Sequence, residues 1–206
     1  MKEFLGLVVL ALPLTLMIII LIALVLATTL FSAKAARKGK SAWGWGLLGF
    51  LVVFLPIFWD WIPTVVAHKY YCATEAGFWV YKTPEQWKKE NPGVMETLTT
   101  QKNPPHEFVG DENNSTNTTF WNDRIKTIHI SEGPIFLHRW KREDELIDIK
   151  TNERLARYVD FSASQQRREP GWSGWKFWLD SRFCSGGEGK AMEYVKLVGQ
   201  LKGAVE

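Results

Sequence analysis

Apolar residues run almost unbroken over residues 4–31 and again over 47–58, and beyond about residue 68 the pattern breaks into short alternating and helical stretches. A bilayer core about 30 Å thick takes about 20 helical residues, so the first run is long enough to cross with tilt. The second run is shorter. Trp43 and Trp45 at one end and Trp59 and Trp61 at the other extend it, and a straight helix from Trp43 to Trp61 rises about 27 Å. Indole rings prefer the headgroup level, so the two tryptophan pairs read as a membrane-interface belt. Between the runs, Lys34, Arg37, Lys38 and Lys40 stand without an acid. Excess Lys and Arg keep a short loop in the cytoplasm. The expectation is a two-helix transmembrane hairpin over residues 1–67, with spans near 4–31 and 43–62 and a cytoplasmic loop over 32–42. Both termini then lie outside, in the periplasm of a bacterial inner membrane or, alternatively, on the exoplasmic side of a eukaryotic secretory-pathway membrane. Pro13 permits a kink in the first span, and Ala33-Lys34-Ala35 has the small-x-small form of a signal-peptide cleavage site. The run is about twice the length of a normal signal core, and retention is the reading taken. Pro63 is expected to end the second helix and turn Thr64-Val65-Val66 into a strand.

Residues 68–206 are the size of one compact domain, expected to be extracytoplasmic and α+β. Thr83-Pro84-Glu85-Gln86 is a helix start, with Thr at the N-cap, Pro at the first helical position and Gln three residues on, and Asn91-Pro92-Gly93 ends that short inserted helix. Residues 101–119 are polar, with Pro104-Pro105 and sequons at Asn113, Asn114 and Asn117, and are expected to form a mobile loop. Strands are expected over 124–131, 135–142, 145–150 and 155–163, the second and third divided at the charged Arg142-Glu143-Asp144. Leu155, Val159 and Phe161 alternate with period two, Arg157 being the exception, which suits an antiparallel sheet with a buried face. Ala191, Tyr194, Val195, Val198 and Leu201 at helical spacing predict a C-terminal helix.

Charge refines this picture. The chain carries 25 Lys and Arg against 22 Asp and Glu. Its membrane part holds five cations against Glu3 and Asp60, so the rest is balanced and nucleic acid is not an expected partner. Asp60 is read as an interfacial carboxylate. Membrane lipids, a protein partner in a membrane or envelope complex and a second copy of the chain are the expected contacts. The two cysteines, Cys72 and Cys184, lie on the oxidising side of that topology and are expected to form a disulfide.

Trp172, Trp175 and Trp178 recur every three residues, and over seven residues this resembles the WxxWxxW element of thrombospondin type 1 repeats. That family depends on several disulfides and this chain has two cysteines, so the resemblance implies no function. The three tryptophans, with Arg167, Arg168 and Lys176 beside them, are instead candidates for core packing, for membrane contact or for a ligand platform. His68, His106, His129 and His138 lack the close spacing of a metal pair, with His129 and His138 the two that adjacent strands could bring together. No residue is assigned as catalytic or cofactor-binding, and no cofactor is expected. The function expected is that of a non-enzymatic, membrane-anchored accessory or assembly subunit. The alternatives are a ligand-binding or sensory module using the Trp-rich surface, and an envelope enzyme with a metal or haem site.

Overall fold

The structure is a computed structural model and describes residues 2–165, 176–184 and 187–205. It is α+β, built from an N-terminal set of helices and a six-stranded antiparallel sheet. Helix α1 (Lys2–Ala36) continues through Pro13, and within it Thr15–Ala36 is long and apolar enough to cross a membrane. A five-residue turn leads to α2 (Ala42–Phe58), whose first turn is capped by the Ser41 hydroxyl accepting from the Gly44 amide. The second helix runs back along the first. A Cβ on Gly46 would meet Ser32 and Thr28, and one on Gly49 would lie 2.6 Å from the Ala27 carbonyl oxygen, so bare glycine permits the backbones to approach closely.

Helix α3 (Trp61–Thr74) follows after a bend of 48°. This corrects the strand expected at Thr64-Val65-Val66 and the terminating role given to Pro63. Pro63 sits in the first turn of α3, where its missing N–H is no loss; Thr64 is buried, and Tyr71 packs against Phe161 of the sheet. The α2 and α3 helices meet the length and hydropathy needed to cross a membrane only when taken together.

The sheet comprises β1 (Gly77–Val80), β3 (His106–Gly110), β4 (Asn114–Phe120), β5 (Ile125–Ile135), β6 (Arg139–Asp148) and β7 (Glu153–Ala163), in the order β1-β7-β6-β5-β4-β3. Strands β2 (Thr99–Thr100) and β8 (Ala204–Val205) form a separate parallel pair. Helix α4 (Pro84–Glu90) opens with the expected capping box of Thr83 and Gln86, and α5 (Val94–Thr97) is a single further turn. Helix α6 (Gly187–Gly199) packs on β1 and β7.

Two expectations for the sheet need correction. Residues 135–142 and 145–150 are not separate strands, because β6 runs straight through Arg142-Glu143-Asp144. Each acid there has a basic partner, so the charges lie across the sheet instead of marking a turn. Residues 101–119, expected as a mobile loop, contain β3 and most of β4. The segment is too polar to fold alone but pairs along the whole of β4 with β5.

The core divides between the faces of the sheet. On one, Ile125, Leu146, Ala156 and Tyr158 meet Trp87, Leu98 and the Tyr194, Leu197 and Leu201 side of the C-terminal segment. On the other, Val159, Phe161 and Cys184 meet Tyr71 and Cys72 of α3.

Candidate functional site at the helix–sheet junction

Asp60 stands between α2 and α3 and is 1 % exposed. The short 3₁₀ turn at the tip of the β5–β6 hairpin brings His138 to it, and the segment before the C-terminal helix brings Lys176. One carboxylate oxygen, Oδ2, accepts from Lys176 Nζ at 2.6 Å and from His138 Nε2 at 3.0 Å. The other, Oδ1, and the hydroxyl of Thr64 one turn further along are buried without a hydrogen-bond partner among the described residues. The Trp178 ring rests on Phe58 with centroids 4.7 Å apart. Two more links tie α3 to the sheet: the Arg139 guanidinium lies 3.4 Å from the Tyr71 ring centroid, and Cys72 is joined to Cys184 as expected. Asp160, buried beneath that bond, accepts from the Cys184 amide and from the Tyr158 hydroxyl. Burial and the neighbouring Asp160 carboxylate both push the Tyr158 hydroxyl pKa up.

Charge also runs across the sheet. Burial alone would raise the pKa of Glu143, but hydrogen bonds from Arg157 and Lys141 outweigh it and bring the carboxyl down to about 2. Burial likewise works against ionised Asp144, and His129 and Arg142 overcome it. At the far end of the sheet Asp148 accepts from Trp87 Nε1 and Arg124 Nη2, each at 2.7 Å, and its pKa is lowered against the cost of burial. A groove of about 540 Å³ lies at this end beside Trp121, whose ring carries the Lys202 ammonium 3.2 Å from its centroid. Burial lowers the Lys202 pKa.

The residues singled out by sequence divide among these places. Of the tryptophan cluster, Trp178 and Lys176 belong to the junction, whereas Trp172, Trp175, Arg167 and Arg168 lie outside the described residues. Asp60, read from the sequence as an interfacial carboxylate, is enclosed in an ion-pair cluster. The pairing of His129 with His138 is not formed: His129 bonds Asp144 and His138 bonds Asp60. Six residues separate His129 from the end of β5, about 20 Å of strand. Among the described residues no group of three or more His, Cys, Asp or Glu is placed to hold a metal. Trp43, Trp45, Trp59 and Trp61 are all exposed, and because of the bend only the first three share a straight helical path, about 24 Å from Trp43 to Trp59.

Sequence reasoning missed the Asp60–His138–Lys176 cluster. Its one local signal was a lone acid at the end of an apolar run. Comparison of the chain with protein-family models, curated proteins and solved structures finds no match.

Proposed function

We propose that α1 and α2 form a transmembrane hairpin with both termini on the periplasmic side of a bacterial inner membrane. In this reading the protein is a non-enzymatic accessory subunit that holds its sheet against the bilayer and offers it to a protein partner. The observation that carries the reading is the outer edge of the sheet. Strand β3 is exposed at every position, with Phe108 61 % and Val109 71 % exposed. An open edge of this kind presents unpaired backbone groups to an incoming strand, and apolar side chains on it add area for that partner. The tip of the β5–β6 hairpin is held at the helix junction by the His138–Asp60 and Arg139–Tyr71 contacts, and the disulfide adds a covalent tie, so the edge is displayed in one orientation.

The test is native co-purification of the full chain in mild detergent, with mass spectrometry of what stays bound, for wild type and for Val109→Lys. Stoichiometric envelope proteins that are retained by wild type and lost from the variant support the reading. A clean monomer, or partners that ignore the change at Val109, refutes it.

A further inference from the structure

The end of α1 and the turn to α2 concentrate positive charge that forms no salt bridge among the described residues. Lys34, Arg37, Lys38 and Lys40 fall within seven residues, and no Asp or Glu occurs between Glu3 and Asp60. Asp60 stands at the far end of α2 and is engaged by Lys176 and His138. Gly39, at φ 67°, folds the chain back so that the Lys40 amide reaches the Ala35 carbonyl. The turn thereby closes over a cleft of about 400 Å³ between the two helices. Its floor is apolar, formed by Leu30, Phe31 and Ala35. Its rim carries Lys34, Lys38 and Lys40, and Trp45 forms a wall with the Lys40 ammonium 5.3 Å from its ring centroid. The volume is within the range of sites that enclose small molecules.

Cations at the rim and hydrocarbon at the floor match one kind of molecule, an amphiphile with an anionic head. Free phosphate would leave the floor unused. A zwitterionic lipid would bring its own cation against three lysines. We propose that this cleft binds an anionic phospholipid, its phosphate held by Lys34, Lys38 and Lys40 and the start of its acyl chains lying on Leu30 and Phe31. The inference rests on the membrane-spanning reading above and names the lipid class that the hairpin takes at its cytoplasmic end. Such a lipid fastens the turn to the inner leaflet, at the end opposite the clamp around Asp60.

The test uses the full chain purified in neutral detergent and titrated separately with dioleoylphosphatidylglycerol, dioleoylphosphatidylcholine and inorganic phosphate, the retained molecules being counted by native mass spectrometry. Phosphatidylglycerol is expected to be retained and phosphatidylcholine not, with millimolar phosphate failing to displace the lipid. Each lysine near an anionic lipid contributes enough that K38Q/K40Q should weaken retention about 30-fold. K38R/K40R should keep it, and K88Q/K89Q on α4 should leave it unchanged. Equal retention of the two lipids, indifference to K38Q/K40Q, or displacement by phosphate at equal concentration each overturns the proposal. Extraction of the native membranes at alkaline pH separates the two readings. Release of the chain refutes the spanning reading, whereas firm retention with no preference between lipids refutes the lipid site alone.

Discussion

Replacing Asp60 with Ala should loosen the segment that carries Lys176 without disturbing the rest of the sheet. At 2.6 Å and an effective dielectric constant of about 20, the gross attraction between Asp60 and Lys176 is about 6 kcal/mol. Much of this is offset by the cost of taking both charges out of water. Removing only the acid leaves much of that cost in place, because Lys176 loses the Asp60 carboxylate while its side chain is only 13 % exposed. Breaking a buried pair in this way costs about 3 kcal/mol or more. A 3 kcal/mol loss raises the local opening constant by about 100-fold. The readout is amide hydrogen exchange of the full chain in detergent, with the disulfide intact. The reporters are Leu179, whose amide donates to Lys176 O, and Ser181, whose amide donates to Ala163 O. Both should exchange about 100-fold faster in Asp60→Ala, while Ile128 and Leu146 in mid-sheet should not change. Adding Lys176→Met to Asp60→Ala should recover most of the protection, because the ammonium that had paired with Asp60 is gone as well. A rise of less than about 3-fold in the single variant, or a double variant no better than the single, would refute the reasoning that this cluster is a clamp.

Three further outcomes follow from the same contacts. The folded-state pKa of Glu143, about 2, lies below its ordinary 4.5, so its stabilising contribution is full above about pH 4.5 and is lost as the pH falls toward 2. With the Arg157 side of the pair open to screening, about 1–2 kcal/mol should disappear over that window in urea titrations followed by circular dichroism, and Glu143→Gln should flatten the slope. Gly49→Ala places a methyl group 2.6 Å from the Ala27 carbonyl oxygen and should lower the melting temperature in detergent, whereas Gly44→Ala meets nothing closer than 3.8 Å and should leave it unchanged or raise it. Cys72→Ser with Cys184→Ser opens a bond spanning 112 residues and should cost up to about 5 kcal/mol, read as a shift of the denaturant midpoint equal to that caused by reductant in wild type.

What was legible in the sequence is what depends on neighbours along the chain. The apolar run of α1, the Thr83–Gln86 capping box, the spacing of Tyr194 and Val198 in α6 and the alternation of Val159 and Phe161 are all local patterns. The failures share another cause. Thr64-Val65-Val66 has strand propensity, but α3 buries Thr64 and packs Tyr71 against Phe161 of the sheet, and packing overrides a bias of that size. Arg142-Glu143-Asp144 has the composition of a turn until Arg157 and His129 come alongside from the neighbouring strands. The same register explains Arg157, the one break in the β7 alternation, because its guanidinium lies on the face where Glu143 needs a partner. The junction around Asp60 was the least legible of all. Its members come from residues 60, 138 and 176, and nothing in the local pattern around any one of them names the other two.

The bond between Cys72 and Cys184 also sets an order of events during synthesis. At about 5–20 residues per second the second cysteine emerges some 6–22 s after the first, after every strand of the main sheet has been made. Until then the Cys72 thiol on α3 has no intramolecular partner, since Cys184 is the only other cysteine in the chain. A chain stalled or cut between residues 72 and 184 therefore keeps a free thiol on α3. Closure of this one bond reports that translation has passed the sheet.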